Sequence, residues 1–86
     1  SVKTTAGKKK VTVSWKKVSG ATGYQVSRAT SKGGTYTIKK TTSSAKYINT
    51  SLTSKKTYYY KVRAYKTING VKYYGKWSAV KLAKVK

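Results

Sequence analysis

The sequence predicts an all-β protein, a seven-stranded antiparallel sandwich forming a single domain over residues 1–86. Three observations carry this. Apolar residues recur with a period close to two in nearly every segment, which is the signature of half-buried strands. Turn-forming residues interrupt that alternation every 8–12 residues, as expected for short antiparallel strands. Thr, Val and Tyr, which suit a pleated surface, are abundant, and no segment shows a helical period.

The elements follow in order. Val2 to Ala6 opens the first strand. Val11-Thr12-Val13-Ser14-Trp15 alternates cleanly and puts Val11, Val13 and Trp15 on one face. Ser19 to Gly23 is turn-rich, after which Tyr24-Gln25-Val26-Ser27-Arg28 resumes the alternation with Tyr24 and Val26 inward. Ser31-Lys32-Gly33-Gly34 is a second turn, followed by a short strand from Tyr36 to Lys40 carrying Ile38. Thr41 to Ser44 reads as a polar connection, and Tyr47 and Leu52 anchor the next short strand. The strongest strand runs from Thr57 to Lys66: Tyr58, Tyr60, Val62 and Ala64 point one way, and Tyr59, Lys61, Arg63 and Tyr65 the other. Asn69-Gly70 suits a two-residue hairpin, because both central residues of a type I′ turn need positive φ. Val71 to Tyr74 then returns antiparallel. Gly75 marks a bulge or bend, and Val80, Leu82 and Val85 finish the last strand.

Composition sets limits on both folding and function. Leu, Ile, Val and Phe make up about 16% of the chain, a fraction that with high net charge favours disorder. Nine Tyr and two Trp offset this by supplying large apolar area. The charge is +21, from 19 Lys and 2 Arg with no Asp, Glu or His. Without Cys, His or carboxylates, the usual ligands for zinc, calcium and magnesium and the usual general acids and bases are missing. The chain is therefore expected to be no enzyme and to use no cofactor. A Ser–Lys dyad needs only proximity and a lowered Lys pKa. With ten Ser among 19 Lys, neighbours such as Ser78 and Lys81 arise by accident. Asn49-Thr50-Ser51 matches the glycosylation acceptor pattern but reads as a turn. No apolar run approaches the roughly 20 residues of a membrane helix, and no signal peptide is evident. Ser, rather than Met, at position 1 suggests a piece of a longer or processed chain.

The pattern resembles a fibronectin type III domain, an immunoglobulin-like sandwich, of the Lys-rich kind found in bacterial cell-surface and secreted proteins. The resemblance covers almost the whole chain. It rests on Val11 to Trp15, on Gly23-Tyr24-Gln25-Val26, and on Leu52 followed six residues later by Tyr58. Tyr60 to Tyr65 and Tyr74-Gly75-Lys76-Trp77-Ser78 add to it. The resemblance implies that Trp15 is a core residue and that Leu52 and Tyr58 form a tyrosine corner, in which the phenol bonds backbone a few residues upstream. It implies a core of Val11, Val13, Trp15, Tyr24, Val26, Leu52, Tyr58, Tyr60 and Val62. It further implies a non-catalytic spacer or adhesion module, extracellular or on a bacterial surface. The ends of this segment, Ser1-Val2-Lys3-Thr4 and Ala83-Lys84-Val85-Lys86, suit joining to neighbouring repeats in tandem. Two departures matter. The family often has Pro-Gly or Ser-Gly between that Leu and Tyr, whereas Ser54-Lys55 here puts a Cβ where Gly is comfortable. The integrin-binding Arg-Gly-Asp motif is absent, since the chain contains no Asp.

A charge of +21 on 9.5 kDa attracts polyanions such as teichoic acid, glycosaminoglycan or nucleic acid. With only two Arg available for bidentate base readout, that attraction is expected to be nonspecific. Tyr59, Lys61, Arg63 and Tyr65 form a basic strip with aromatic platforms, which is a candidate contact. The competing reading is that they pair across strands and simply cover the sheet. The lack of acids leaves two further readings open: an engineered, supercharged scaffold stripped of carboxylates, or a nucleic-acid-binding module.

In the 86-residue chain the C-terminal carboxyl is the only group that acid can protonate into a neutral form. Acid unfolding normally arises because native carboxylates must protonate. Thermal melts are therefore expected to be almost unchanged from about pH 2 to 7, and a cooperative transition at about pH 4 would contradict this.

Overall fold

A computed structural model describes residues 2–86. Among the described residues there are eight strands: β1 (Lys3–Gly7), β2 (Lys10–Ser14), β3 (Gly23–Ala29), β4 (Thr37–Thr42), β5 (Lys46–Asn49), β6 (Thr57–Ile68), β7 (Val71–Tyr74) and β8 (Lys81–Lys84). One sheet has the order β1-β2-β5. The other has the order β4-β3-β6, with both β7 and β8 on the free edge of β6. All pairings are antiparallel.

The count is eight rather than the expected seven because the last edge strand is broken. β7 pairs with Tyr65–Ile68 and β8 with Thr57–Tyr60, so together they fill one strand position along β6. Between them the pairing survives only in irregular form: the Gly75 N–H donates to the Ala64 carbonyl at 2.9 Å and the Ser78 N–H to the Val62 carbonyl at 2.8 Å. Ser78 Oγ accepts from the Val62 N–H at 2.9 Å, so the break leaves that buried donor satisfied.

The core lies between the sheets. Val11, Val13, Val26 and Tyr60 are fully buried, and Tyr24, Leu52, Tyr58, Val62, Ala83 and Val85 nearly so. Burying each Val contributes about 1.5–3 kcal/mol relative to exposure. Trp15, expected in the core beside Val11 and Val13, is only half-buried. β2 ends at Ser14, and although the Trp15 N–H still donates to the Ala45 carbonyl at 3.0 Å, its ring lies at the rim of the core, edge-on to Tyr24 with ring centres 5.5 Å apart. In the last strand Ala83 and Val85 face inward while Val80 and Leu82 are exposed. β4 extends to Thr42 through the expected polar connection, and a register shift at Val26/Ser27 accompanies an exposed Ile38.

Two turns show local geometry set by the sequence. Asn69 and Gly70 both have positive φ, 51° and 78°, as the I′ hairpin requires. The segment between Leu52 and Tyr58 is pinned on three sides. The Leu52 N–H donates to the Lys9 carbonyl at 3.0 Å, the Lys55 N–H to the Val85 carbonyl at 2.7 Å, and the Thr53 N–H to the Tyr58 phenol oxygen at 3.1 Å. This is the tyrosine corner, with the phenol acting as acceptor. Lys55 adopts φ 64°, a left-handed conformation that costs a residue with a Cβ roughly 1–2 kcal/mol.

Replacing Lys55 by Gly is expected to stabilise the domain by about 0.5–1 kcal/mol, a rise of about 4 °C in melting temperature. Lys55→Ala, which removes the same charge but keeps the Cβ, is the control. An equal gain from both would assign the effect to charge rather than backbone strain.

Candidate functional site

The outer face of the larger sheet is built on β6. Its outward residues Tyr59, Lys61, Arg63 and Tyr65 are all half-buried, because the facing positions on β3 are small or compact. Tyr59 lies beside Ala29, Lys61 beside Ser27, Arg63 beside Gln25 and Tyr65 beside Gly23. A Cβ at Gly23 would fall 2.7 Å from the Tyr65 hydroxyl, so Gly23 lets that ring lie across the β3 backbone.

Rings and cations alternate along this face. The Lys61 ammonium lies 4.5 Å from the Tyr36 ring centre and 4.9 Å from that of Trp77. The Arg63 guanidinium lies 4.4 Å from Trp77 and 4.0 Å from Tyr74, and its Nε donates to Gln25 Oε1 at 2.8 Å. Tyr74 packs at a tilt on Tyr65, 6.2 Å away, and the Lys72 ammonium lies 5.1 Å from the Tyr65 ring. The order is thus Tyr36, Lys61, Trp77, Arg63, Tyr74, Tyr65, Lys72. Each cation–ring contact contributes about 0.5–1 kcal/mol where exposed. The ladder fixes the cations in place while leaving most of their N–H donors unspent: Arg has five, of which Gln25 takes one. Such a row presents charge-assisted donors to phosphate, sulfate or carboxylate groups.

Of the four residues singled out from the sequence, Lys61, Arg63 and Tyr65 are brought together and Tyr59 stands apart, between Ala29 and Leu82. Sequence reading missed Tyr36, Trp77, Tyr74, Lys72 and Gln25. Tyr74 was accessible, because a two-residue turn at Asn69-Gly70 pairs Ile68 with Val71 and hence Tyr65 with Tyr74. Trp77 was not, because it lies in the broken edge where no alternation applies.

A second polar cluster sits inside the sandwich. Asn49 Oδ1 accepts from the Tyr60 hydroxyl at 2.8 Å and from Arg28 Nη1 at 3.0 Å, while Asn49 Nδ2 donates to the Tyr47 oxygen at 3.1 Å. Asn49 is 7% exposed and its Nδ2 donates inward to Tyr47, so the glycosylation pattern at Asn49-Thr50-Ser51 places its amide nitrogen inside the fold rather than at the surface. The Arg28 guanidinium also lies 5.2 Å from the Tyr58 ring centre. Burial pushes the Tyr60 phenol well above its usual range, with Arg28 opposing and Tyr47 and Tyr58 adding. Burial also raises Tyr58, but the Thr53 N–H bond, Lys56 and Arg28 together take it below its usual value.

The sign for Tyr60 follows from linkage. A raised folded value means its contribution is intact below the unfolded value of about 10 and is lost as pH climbs toward the folded one. Tyr60→Phe is expected to cost about 1–2 kcal/mol at neutral pH through the lost hydrogen bond. Above about pH 10 that gap should shrink by up to about 1.4 kcal/mol per pH unit, because Phe does not titrate. Urea unfolding of both proteins across alkaline pH checks this, lysine titration being common to the two. Parallel stability curves would contradict it.

No protein-family model and no curated protein matches the sequence. Solved structures do. The chain is similar over 98% of its length to a Fn3-like protein from Clostridium thermocellum, with 29% identity, 88% of that chain covered and a TM-score of 0.76. A fibronectin type III domain derived from the human KIAA0970 protein gives 18% identity, 98% and 69% coverage, and a TM-score of 0.75. A β-1,2-glucanase from Parabacteroides distasonis gives 18% identity and a TM-score of 0.83, with 98% of this chain covered, but the chain spans only 12% of the glucanase. Strand order, the corner at Tyr58 and these likenesses agree, and the chain has the fibronectin type III fold.

Proposed function

We propose that the chain is a non-catalytic spacer or adhesion module of an extracellular bacterial surface protein that captures polyanions through the outer face of its larger sheet. The observation that carries this is the ladder itself. Lys61 and Arg63 are held over Tyr36, Trp77 and Tyr74 with donors to spare, in a chain with no side-chain anion to neutralise them. Teichoic acids, glycosaminoglycans and nucleic acids share the recognised chemistry, a flexible polymer of repeated anions. Two features support the spacer role. β1 and β8 run side by side in the same direction, Thr4 beside Leu82 and Gly7 beside Lys86, so the chain enters at one end of that seam and leaves at the other. The similarity to a segment amounting to 12% of a glucanase chain fits a module carried within a larger protein.

Titration with heparin at several NaCl concentrations tests the site. Affinity is expected to fall linearly with salt on logarithmic axes. The double substitution Lys61→Gln with Arg63→Gln is expected to weaken binding about tenfold, and Lys8→Gln with Lys9→Gln, equal in charge, about threefold or less. Equal losses would assign binding to the overall field of the molecule and remove the site.

A further inference from the structure

The break between β7 and β8 has a second face. Gly75 and Ser78 bond back to Ala64 and Val62, and the Trp77 ring lies on the outer surface over Lys61 and Arg63. Beside it, at the rim of the sandwich, lies a cavity of about 290 Å³. Its apolar wall is formed by Tyr24, Val62 and Ala64 of the larger sheet and by Trp15, just past the end of β2. Lys16, Arg63 and Lys76 also line it.

We propose that this cavity binds a small apolar anion, an aryl or short acyl carboxylate whose body lies against Trp15 and Tyr24. Four observations select that class. The volume is near the lower end of the roughly 300–1,000 Å³ usual for ligand pockets, which suits one ring or a short chain. The walls offer apolar and aromatic contact. The two ammonium groups have no carboxylate side chain anywhere in the sequence to compete for them, so the missing anion is complementary to the site. Finally, the Trp15 indole N–H is buried and has no hydrogen-bond partner, the only such buried side-chain atom among the described residues. A buried donor without a partner is costly, and a movement of the Trp15 ring that turned it to a carboxylate in the cavity would relieve that cost. Tyr24 cannot meet that need with the group it has already committed, since its phenol oxygen accepts from the Val18 N–H at 2.7 Å. That bond also fastens the loop forming the neighbouring wall. The cavity shares Arg63 with the outer ladder, whereas Lys16 and Lys76 make none of the ladder's contacts, so substitutions there test the cavity apart from polyanion binding.

The two Trp residues make the test internally controlled. Phenylbutyrate is titrated into the 15N-labelled 86-residue chain in about 0.5 M NaCl, where exposed charges are screened within about 5 Å. The Trp15 indole N–H and the Gly75 and Ser78 amides are expected to shift saturably and by more than the Trp77 indole, which reaches the cavity only through Arg63. Phenylbutanol, which lacks the charge, is expected to bind about fivefold or more weakly. Lys16→Gln and Lys76→Gln should each weaken phenylbutyrate about two- to fivefold, with Lys16→Arg restoring binding. Equal affinity for the alcohol would reduce the site to an apolar void and overturn the proposal. So would shifts at Trp77 and scattered lysines without Trp15, or the absence of any saturable shift.

Discussion

Twenty-one side-chain cations share 86 residues with no side-chain anion, so every positive group drawn against the sandwich must be held by something neutral. The structure does this with π faces and amide oxygens. Arg63 is clasped between Trp77 and Tyr74 and anchored to Gln25 Oε1. Arg28 is held by Asn49 Oδ1 and the Tyr58 ring. In most domains a carboxylate would fill both roles. A neutral partner avoids the desolvation of a second charge, but it leaves the positive charge uncancelled. The domain therefore gains order at its cations without lowering its net field.

That arrangement ties stability to the proposed capture of polyanions. The side chains that cover the larger sheet are the ones that present donors outward, and removing a ring such as Trp77 would loosen both Lys61 and Arg63. Of the two readings of the strip from the sequence, sheet cover is what these contacts do, and the proposed contact surface would use the same side chains. The rings cover the sheet, and because the cations sit over them they are preorganised for an incoming anion rather than free to sample rotamers.

Much of the fold was legible because β2, β3 and β6 alternate strictly and Asn69-Gly70 specifies its own turn. The order Leu52, then Tyr58 six residues on, marked the corner, and the left-handed Lys55 was foreshadowed by the missing Gly. What stayed hidden has a common physical origin. Where an edge strand breaks, the backbone no longer enforces a period of two, and the positions of residues 75–80 are set by tertiary bonds to Val62 and Ala64. Trp77 and the cavity beside it both belong to that segment. Trp15 does pack against the core, but only from its rim: alternation identifies a face and does not say how deep along it the core extends. Asn49 looked like a turn residue, yet it is buried as a hub for three side chains, and nothing local distinguishes those roles.

The same break divides the domain into parts of unequal permanence. β7 carries only exposed side chains and pairs with the far end of β6 alone, whereas β8 is secured by buried Ala83 and by the bonds joining Val85 to Lys55 and Lys56. The hairpin tip can therefore melt and re-form as a small cooperative unit without admitting water to the valine interior. With it would go the Tyr74 and Lys72 end of the outer face, while Lys61 would keep its contacts to Tyr36 and Trp77.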